Sequence, residues 1–278
     1  MQGALILWLA LFSIIFVHES GHVIAFRRIG MEIDEMAIGI PWGPRLTIRS
    51  AFLRRHLGPD FTLYLCPLIL GGYVKPRDPE RETKLPDDEK ALVYGGGVIA
   101  NIILYLAMNC VLLLQLMGSS APHDVGIPMF QFLGKHDPGI ILAGHVALAG
   151  LFIYFARFIS RYIFPIIGLA IIIIMSYLLI KIFGNTAVLS GGGFVALAAQ
   201  SKTANDGGVL IGYIGFLSIV VGLGNLMPLY PLDGGHIGML HVQKFAPWLV
   251  PYYRRAGFAI VIFLMILQFV PDLYRLLN

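Results

Sequence analysis

The chain has 278 residues, of which 57% are hydrophobic and 13% charged, with a formal net charge of +4 and a mean hydropathy of +0.78. Soluble domains carry about 25% charged residues, so an ordinary soluble protein is excluded and an integral membrane protein is expected. The basic excess fits Lys and Arg flanking membrane spans and gives no reason to expect a nucleic-acid partner. Two cysteines, Cys66 and Cys110, are too few for a disulfide framework or a thiolate zinc site.

A span needs about 20 mostly apolar residues. In chain order the candidates are 4–26, 91–116, 139–157, 162–183, 209–228 and 256–271. The expected fold is an all-α polytopic membrane protein of about six transmembrane helices, with a small membrane-associated β-hairpin or sheet after the first. No basic segment precedes the first run and it holds His18, Glu19 and His22, so it reads as a retained span and not a cleaved signal peptide. Residues 27–90 carry eleven Lys and Arg. On a six-span count Arg157 and Arg161, and Arg254 and Arg255, fall on the same side. These three basic clusters agree on both termini outside and the His-Glu-His end near the cytoplasmic face of a multi-pass protein.

Within 27–90, Met36–Ile40 and Arg45–Ile48 are short strand-like runs broken by Pro41 and Pro44. Phe61–Leu70 is apolar but too short to span and reads as re-entrant or interfacial, ending at Gly71-Gly72. Asp78–Lys90 reads as a solvated linker, and 184–208, with Gly191-Gly192-Gly193, as an outer loop. The chain then divides into 1–116, an inserted 117–208 with two extra spans, and 209–278.

The first span contains H-E-S-G-H. His18 and His22, four apart, share one helix face, and Glu19 beside them can reach a metal-bound water without being a ligand. The bland alternative is a polar patch inside a transporter or channel bundle. A catalytic zinc needs a third protein ligand. The string Asn225-Leu-Met-Pro-Leu-Tyr-Pro-Leu-Asp233-Gly-Gly-His236 supplies one in Asp233, with His236 the runner-up and an ordinary loop aspartate the plain reading. Pro228 and Pro231 prevent a regular helix there. His145 is expected to be packed or hydrogen-bonded, His123, His136 and Asp137 to lie on the wrong side, and Gly95-Gly96-Gly97 to be a close-packing surface and not a phosphate loop.

HESGH followed by NLMPLYPLDGGH resembles the site-2 protease family of intramembrane zinc metalloproteases, in its bacterial branch. Three further pieces carry the likeness: Gly71-Gly72-Tyr73-Val74-Lys75, similar to a membrane-dipping β-hairpin; Gly95–Gly97 with Asn101, similar to the start of the second core helix; and Ile38-Gly39, placed like the first strand. The likeness covers roughly 1–116 and 209–245. It implies one zinc ion held by His18, His22 and Asp233, and Glu19 as general base. It also implies a substrate contact by Asn225, and a β-edge at Gly71, Gly72, Tyr73 and Val74 could hold an unwound substrate by strand addition. The implied activity is cleavage of transmembrane segments of single-span membrane proteins within the lipid bilayer, in a bacterial inner membrane. Tyr230 departs from the family by standing where many relatives have proline. The interval between the second and third core helices also lacks the polar pattern of the PDZ domains many relatives carry; its two added helices could wall an entrance, bind a partner or simply pack. A zinc-binding transporter, a non-proteolytic scaffold and a sensory partner are the rival classes.

Overall fold

The computed structural model describes residues 2–40, 43–69, 71–118 and 207–277. The expected spans at 139–157 and 162–183, the 184–208 loop, and His123, His136, Asp137 and His145 lie outside the described residues. The first helix, α1 (Gln2–Arg28), is the expected apolar run, with Arg27 and Arg28 in its last turn. It ends because Gly30 takes a left-handed φ of +74°, letting Met31 N–H bond back to Phe26 O at 3.0 Å. That pairing satisfies helix-end carbonyls in the Schellman manner.

The chain then builds four strands: β1 (Ile33–Ile38), β2 (Leu46–Ile48), β3 (Thr62–Leu65) and β4 (Gly72–Pro76). A short helix, α2 (Ala51–Leu57), links β2 to β3. The sheet order is β2-β3-β1-β4, with β1 and β3 parallel and the other pairs antiparallel. The period of two sorts its faces. Met36, Ile38, Leu63, Leu65, Ile48 and Val74 share one face by register and pack with Ile15, Val23 and Phe26 of α1 in the main core. Glu35, Tyr64, Tyr73 and Lys75 share the other.

The expected hairpin is thus the edge of a mixed sheet. The apolar segment 61–70 is not uniformly re-entrant either: it begins as β3, bonded to β1, and the loop that follows reaches farther along α1. There Trp8 Nε1–H donates to Pro67 O at 2.9 Å. Trp8 stands eleven residues before Glu19, or about 16 Å along a helix axis, so this loop lies deep beside the first span.

Helix α3 (Pro79–Lys84) occupies part of the expected linker, and α4 (Asp87–Gly118) starts before the expected second span. Asp87, Asp88 and Glu89 in its first turn suit the positive end of the helix dipole. By length and composition Trp8–Arg28 and Asp87–Met108 could each cross a membrane. These two helices cross where Gly21 faces Gly96: a methyl on Gly96 would lie 2.7 Å from Gly21 O, and one on Gly21 would overlap Gly96 O. Small residues at such a crossing let two backbones approach closely.

The C-terminal part holds α5 (Gly207–Asn225), α6 (Asp233–Phe245), a 3-10 turn (Pro247–Leu249) and α7 (Val250–Leu277). Helix α5 packs on α4 through Leu223, with Leu226 just past its end, against Val98 and Ile102, and Ser218 Oγ donates to Asn101 O at 2.9 Å.

A candidate metal centre where α1, α4 and α6 meet

Two prolines, Pro228 and Pro231, keep 226–232 from continuing α5. The turn is held from α7: Tyr253 Oη lies 2.7 Å from Pro228 O and 3.1 Å from Gly235 O, so its one proton is shared between them. The outcome is that Asp233 starts α6 facing α1. Its Oδ2 lies 3.1 Å from His18 Nε2 and its Oδ1 3.4 Å from His22 Nε2. The two imidazole Nε2 atoms are 3.3 Å apart. One ligand atom from each of the three residues falls within 4.8 Å of the others. All three are shielded: His18 is 6% exposed, His22 8%, and the Asp233 side chain 14%.

Three features fit this cluster to a cation. Asp233 Oδ2 is buried without an aligned hydrogen-bond donor, although His18 is close by. A methyl on Gly97 would lie 2.5 Å from both His18 Nε2 and His22 Nε2, so α4 leaves open the volume in front of the two nitrogens. Two imidazoles and a carboxylate are a donor set that zinc accepts while keeping one position open.

The outer ring nitrogens are held as well. His22 Nδ1–H donates to Val93 O at 2.8 Å, which leaves Nε2 with its lone pair. His18 Nδ1 lies 3.2 Å from the amide of Asn101, which is fully buried and whose Oδ1 has no partner. A His18 that ligates through Nε2 must carry its proton on Nδ1. Asn101 meets that need when its amide presents Oδ1, the near-isosteric half-turn of the group. The sequence singled out Asn101 only as part of a family-like string; its bond to His18 arises from a helix crossing that no local pattern records.

Glu19 is 5% exposed. A methyl on Gly72 would lie 2.7 Å from Glu19 Oε1 and 2.6 Å from Ala37 O, so β4 begins in contact with the carboxylate. Tyr73, Val74 and Gly71 follow the same edge, and Tyr73 Oη–H donates to Glu35 Oε2 at 3.0 Å. Asn225 bonds instead within its own helix, its Nδ2 donating to Val221 O at 3.1 Å. His236, the runner-up ligand, is not in the cluster: its ring packs between Tyr94 and Tyr230, with centroids 4.8 and 5.0 Å away. One turn of α4 therefore serves both places, Val93 holding His22 and Tyr94 stacking on His236.

Residues 6–268 match the sequence profile of peptidase family M50. Among curated relatives, RSc1411 of Ralstonia nicotianae, named provisionally as a zinc metalloprotease, is 29% identical over 152 residues, 48% of this chain and 29% of that protein. Cj1068 of Campylobacter jejuni, named in the same provisional way, is 23% identical across 95% of this chain and 91% of its own length. The regulator of sigma-E protease RseP of Escherichia coli is 32% identical over 105 residues, 34% of this chain and 22% of RseP. The chain thus aligns with less than a third of RSc1411 and RseP.

Proposed function

Because this chain belongs to peptidase family M50, a family of membrane zinc metalloproteases, we propose that it is a multi-pass zinc endopeptidase cleaving membrane-protein substrates inside the bilayer. One observation carries the reading: His18, His22 and Asp233, from two separate helices, converge beside a buried Glu19 at the end of an edge strand. These three residues would hold the zinc. The ion supplies Lewis acidity toward water and toward the scissile carbonyl. Glu19 accepts the proton of the attacking water and returns it to the departing amine. Val93 and Asn101 orient the two imidazoles from behind.

A helical substrate hides its carbonyls in its own hydrogen bonds and must unwind to be cut. At membrane depth the freed groups need partners. Strand β4, paired with β1 on one side alone among the described residues, offers a row of them for strand addition. Gly72 brings that strand up to Glu19. Asn225 is a candidate for contact with the substrate once its side chain leaves Val221 O. The substrate class we favour is a single-span protein of a bacterial inner membrane, with the site toward the cytoplasmic side, a reading that Arg27 and Arg28 at the end of α1 support.

The test is Glu19→Gln with a single-span substrate. Cleavage should fall by at least about a hundredfold, the scale of general-base removal, while zinc content stays at one per chain. A variant that cleaves at the wild-type rate, or a wild type that moves zinc across the membrane without cleaving, would favour the transporter class.

A further inference from the structure

Away from the metal centre, a cleft of about 600 Å³ opens among the end of α1, β2 and α2. Arg27, Arg49, Arg54 and Arg55 line it, with His56 and a single carboxylate, Glu32. Glu32 is already engaged by Arg77 Nη1 at 3.3 Å. None of the four arginines forms an ion pair among the described residues. Arg54 Nε is buried with no hydrogen-bond partner. Arg27 spends one donor on Met31 O at 3.3 Å, and His56 Nδ1–H is turned back to Phe52 O. Four like charges around one concavity repel each other, and a buried guanidinium N–H without an acceptor is costly. Nothing in the catalytic reading uses them.

We propose that this cleft binds the phosphate of an anionic phospholipid headgroup. The charge calls for a phosphate or phosphonate class of anion, which guanidinium forks suit in geometry as well as sign. The position selects a lipid as its source. Arg27 stands in the last turn of the first span, at the level where headgroups lie. On α2, Phe52 is 69% exposed two residues before Arg54, and on β2 Leu46 is 62% exposed. An apolar ring beside a cluster of arginines is the make-up of a segment resting in the membrane interface. The proposal depends on the membrane reading of α1 and is independent of proteolysis.

The experiment uses the full chain in nanodiscs holding phosphatidylglycerol and phosphatidylcholine in equal amounts. Lipid retained after detergent exchange is quantified for the wild type, Arg54→Gln/Arg55→Gln and Arg49→Gln. Phosphatidylglycerol should be enriched on the wild type, with enrichment falling about fivefold per arginine removed. Zinc content and gel-filtration profile on the same samples report folding; if the double variant fails them, Arg49→Gln alone carries the comparison. No enrichment on the wild type, or full enrichment on a folded variant, overturns the proposal. Displacement of the lipid by millimolar inorganic phosphate, with equal thermal stabilisation by phosphate in pure phosphatidylcholine, reassigns the cleft to a soluble anion. Dependence of an acidic substrate peptide on these arginines without lipid enrichment reassigns it to protein. A chain recovered without detergent in the soluble fraction would instead sink the membrane reading.

Discussion

Asn101 shows how a side chain outside the metal cluster sets what the cluster can do. Its amide faces His18 Nδ1 at 3.2 Å, and its backbone carbonyl accepts from Ser218 Oγ of α5. Asn101→Leu removes the amide whose Oδ1, once turned to His18, would hold the proton on Nδ1. Zinc affinity, measured by competition with a chromogenic chelator, should fall about 10- to 100-fold, the usual scale for an outer-shell partner. Asn101→Asp keeps an acceptor and should recover most of the loss, which a purely steric role would not explain. HESGH could be read at sight because a helix alone places i and i+4 together. Asn101 and Gly97 could not be read as part of the site, since their role follows from where α4 crosses α1 and no spacing within α4 encodes it.

Among elements, the edge strand is the most exposed to test. Tyr73→Pro puts a residue without N–H and with fixed φ into the middle of β4. Cleavage should be lost while zinc remains bound; unimpaired cleavage would count against strand addition. The other face of the same sheet carries an electrostatic clamp. Hydrogen bonds from Lys75 and Tyr73, at 3.0 Å each, hold the Glu35 carboxyl below the usual carboxylate range, the Lys75 bond most of all. A depressed folded pKa means the unfolded chain takes up the proton first. The clamp thus adds stability above the unfolded carboxylate pKa and loses it as pH falls through the folded value. Lys75→Met should lower the thermal midpoint at neutral pH, and the gap from wild type should close in the acid range; a gap independent of pH would mean the lysine acts through packing. The strand-like runs at 36–40 and 45–48 were legible from apolar residues on either side of Pro41 and Pro44. The parallel pairing of β1 with β3 was not, because an isolated apolar run such as 61–70 looks alike as a strand or a membrane-dipping segment.

For the whole molecule, the proposed ligands come from opposite ends of the sequence, His18 and His22 in α1 and Asp233 in α6. A metal bound across them stabilises the folded chain by mass action. Stripping zinc with a chelator should remove about 4 kcal/mol when free zinc had stood a thousandfold above its Kd. A differential thermal scan reads this as a lower midpoint, restored by zinc, and Asp233→Ala should abolish the restoration. The order of the pieces was plain from the two motifs, and the turn that joins them was expected from Pro228 and Pro231. What clamps that turn was not: Tyr253 and the close approach of Gly257 to Tyr230 belong to the last helix and carry no motif.

The placement of the sheet along α1 has a mechanical consequence. Gly72 meets Glu19, whereas at the other end of β4 Arg77 N–H bonds to Glu32 O beyond the foot of α1, so the strand runs roughly alongside that helix. A peptide laid against its five residues covers about 17 Å as a strand but only about 7.5 Å as a helix. Under the proposed strand addition, engagement would lengthen that stretch by about 9 Å, and the excess would be taken up by moving one end of the substrate toward its nearer membrane surface. A folded domain fused close to both ends of the same segment would oppose that displacement, making slack in the flanking chain a condition for being cut.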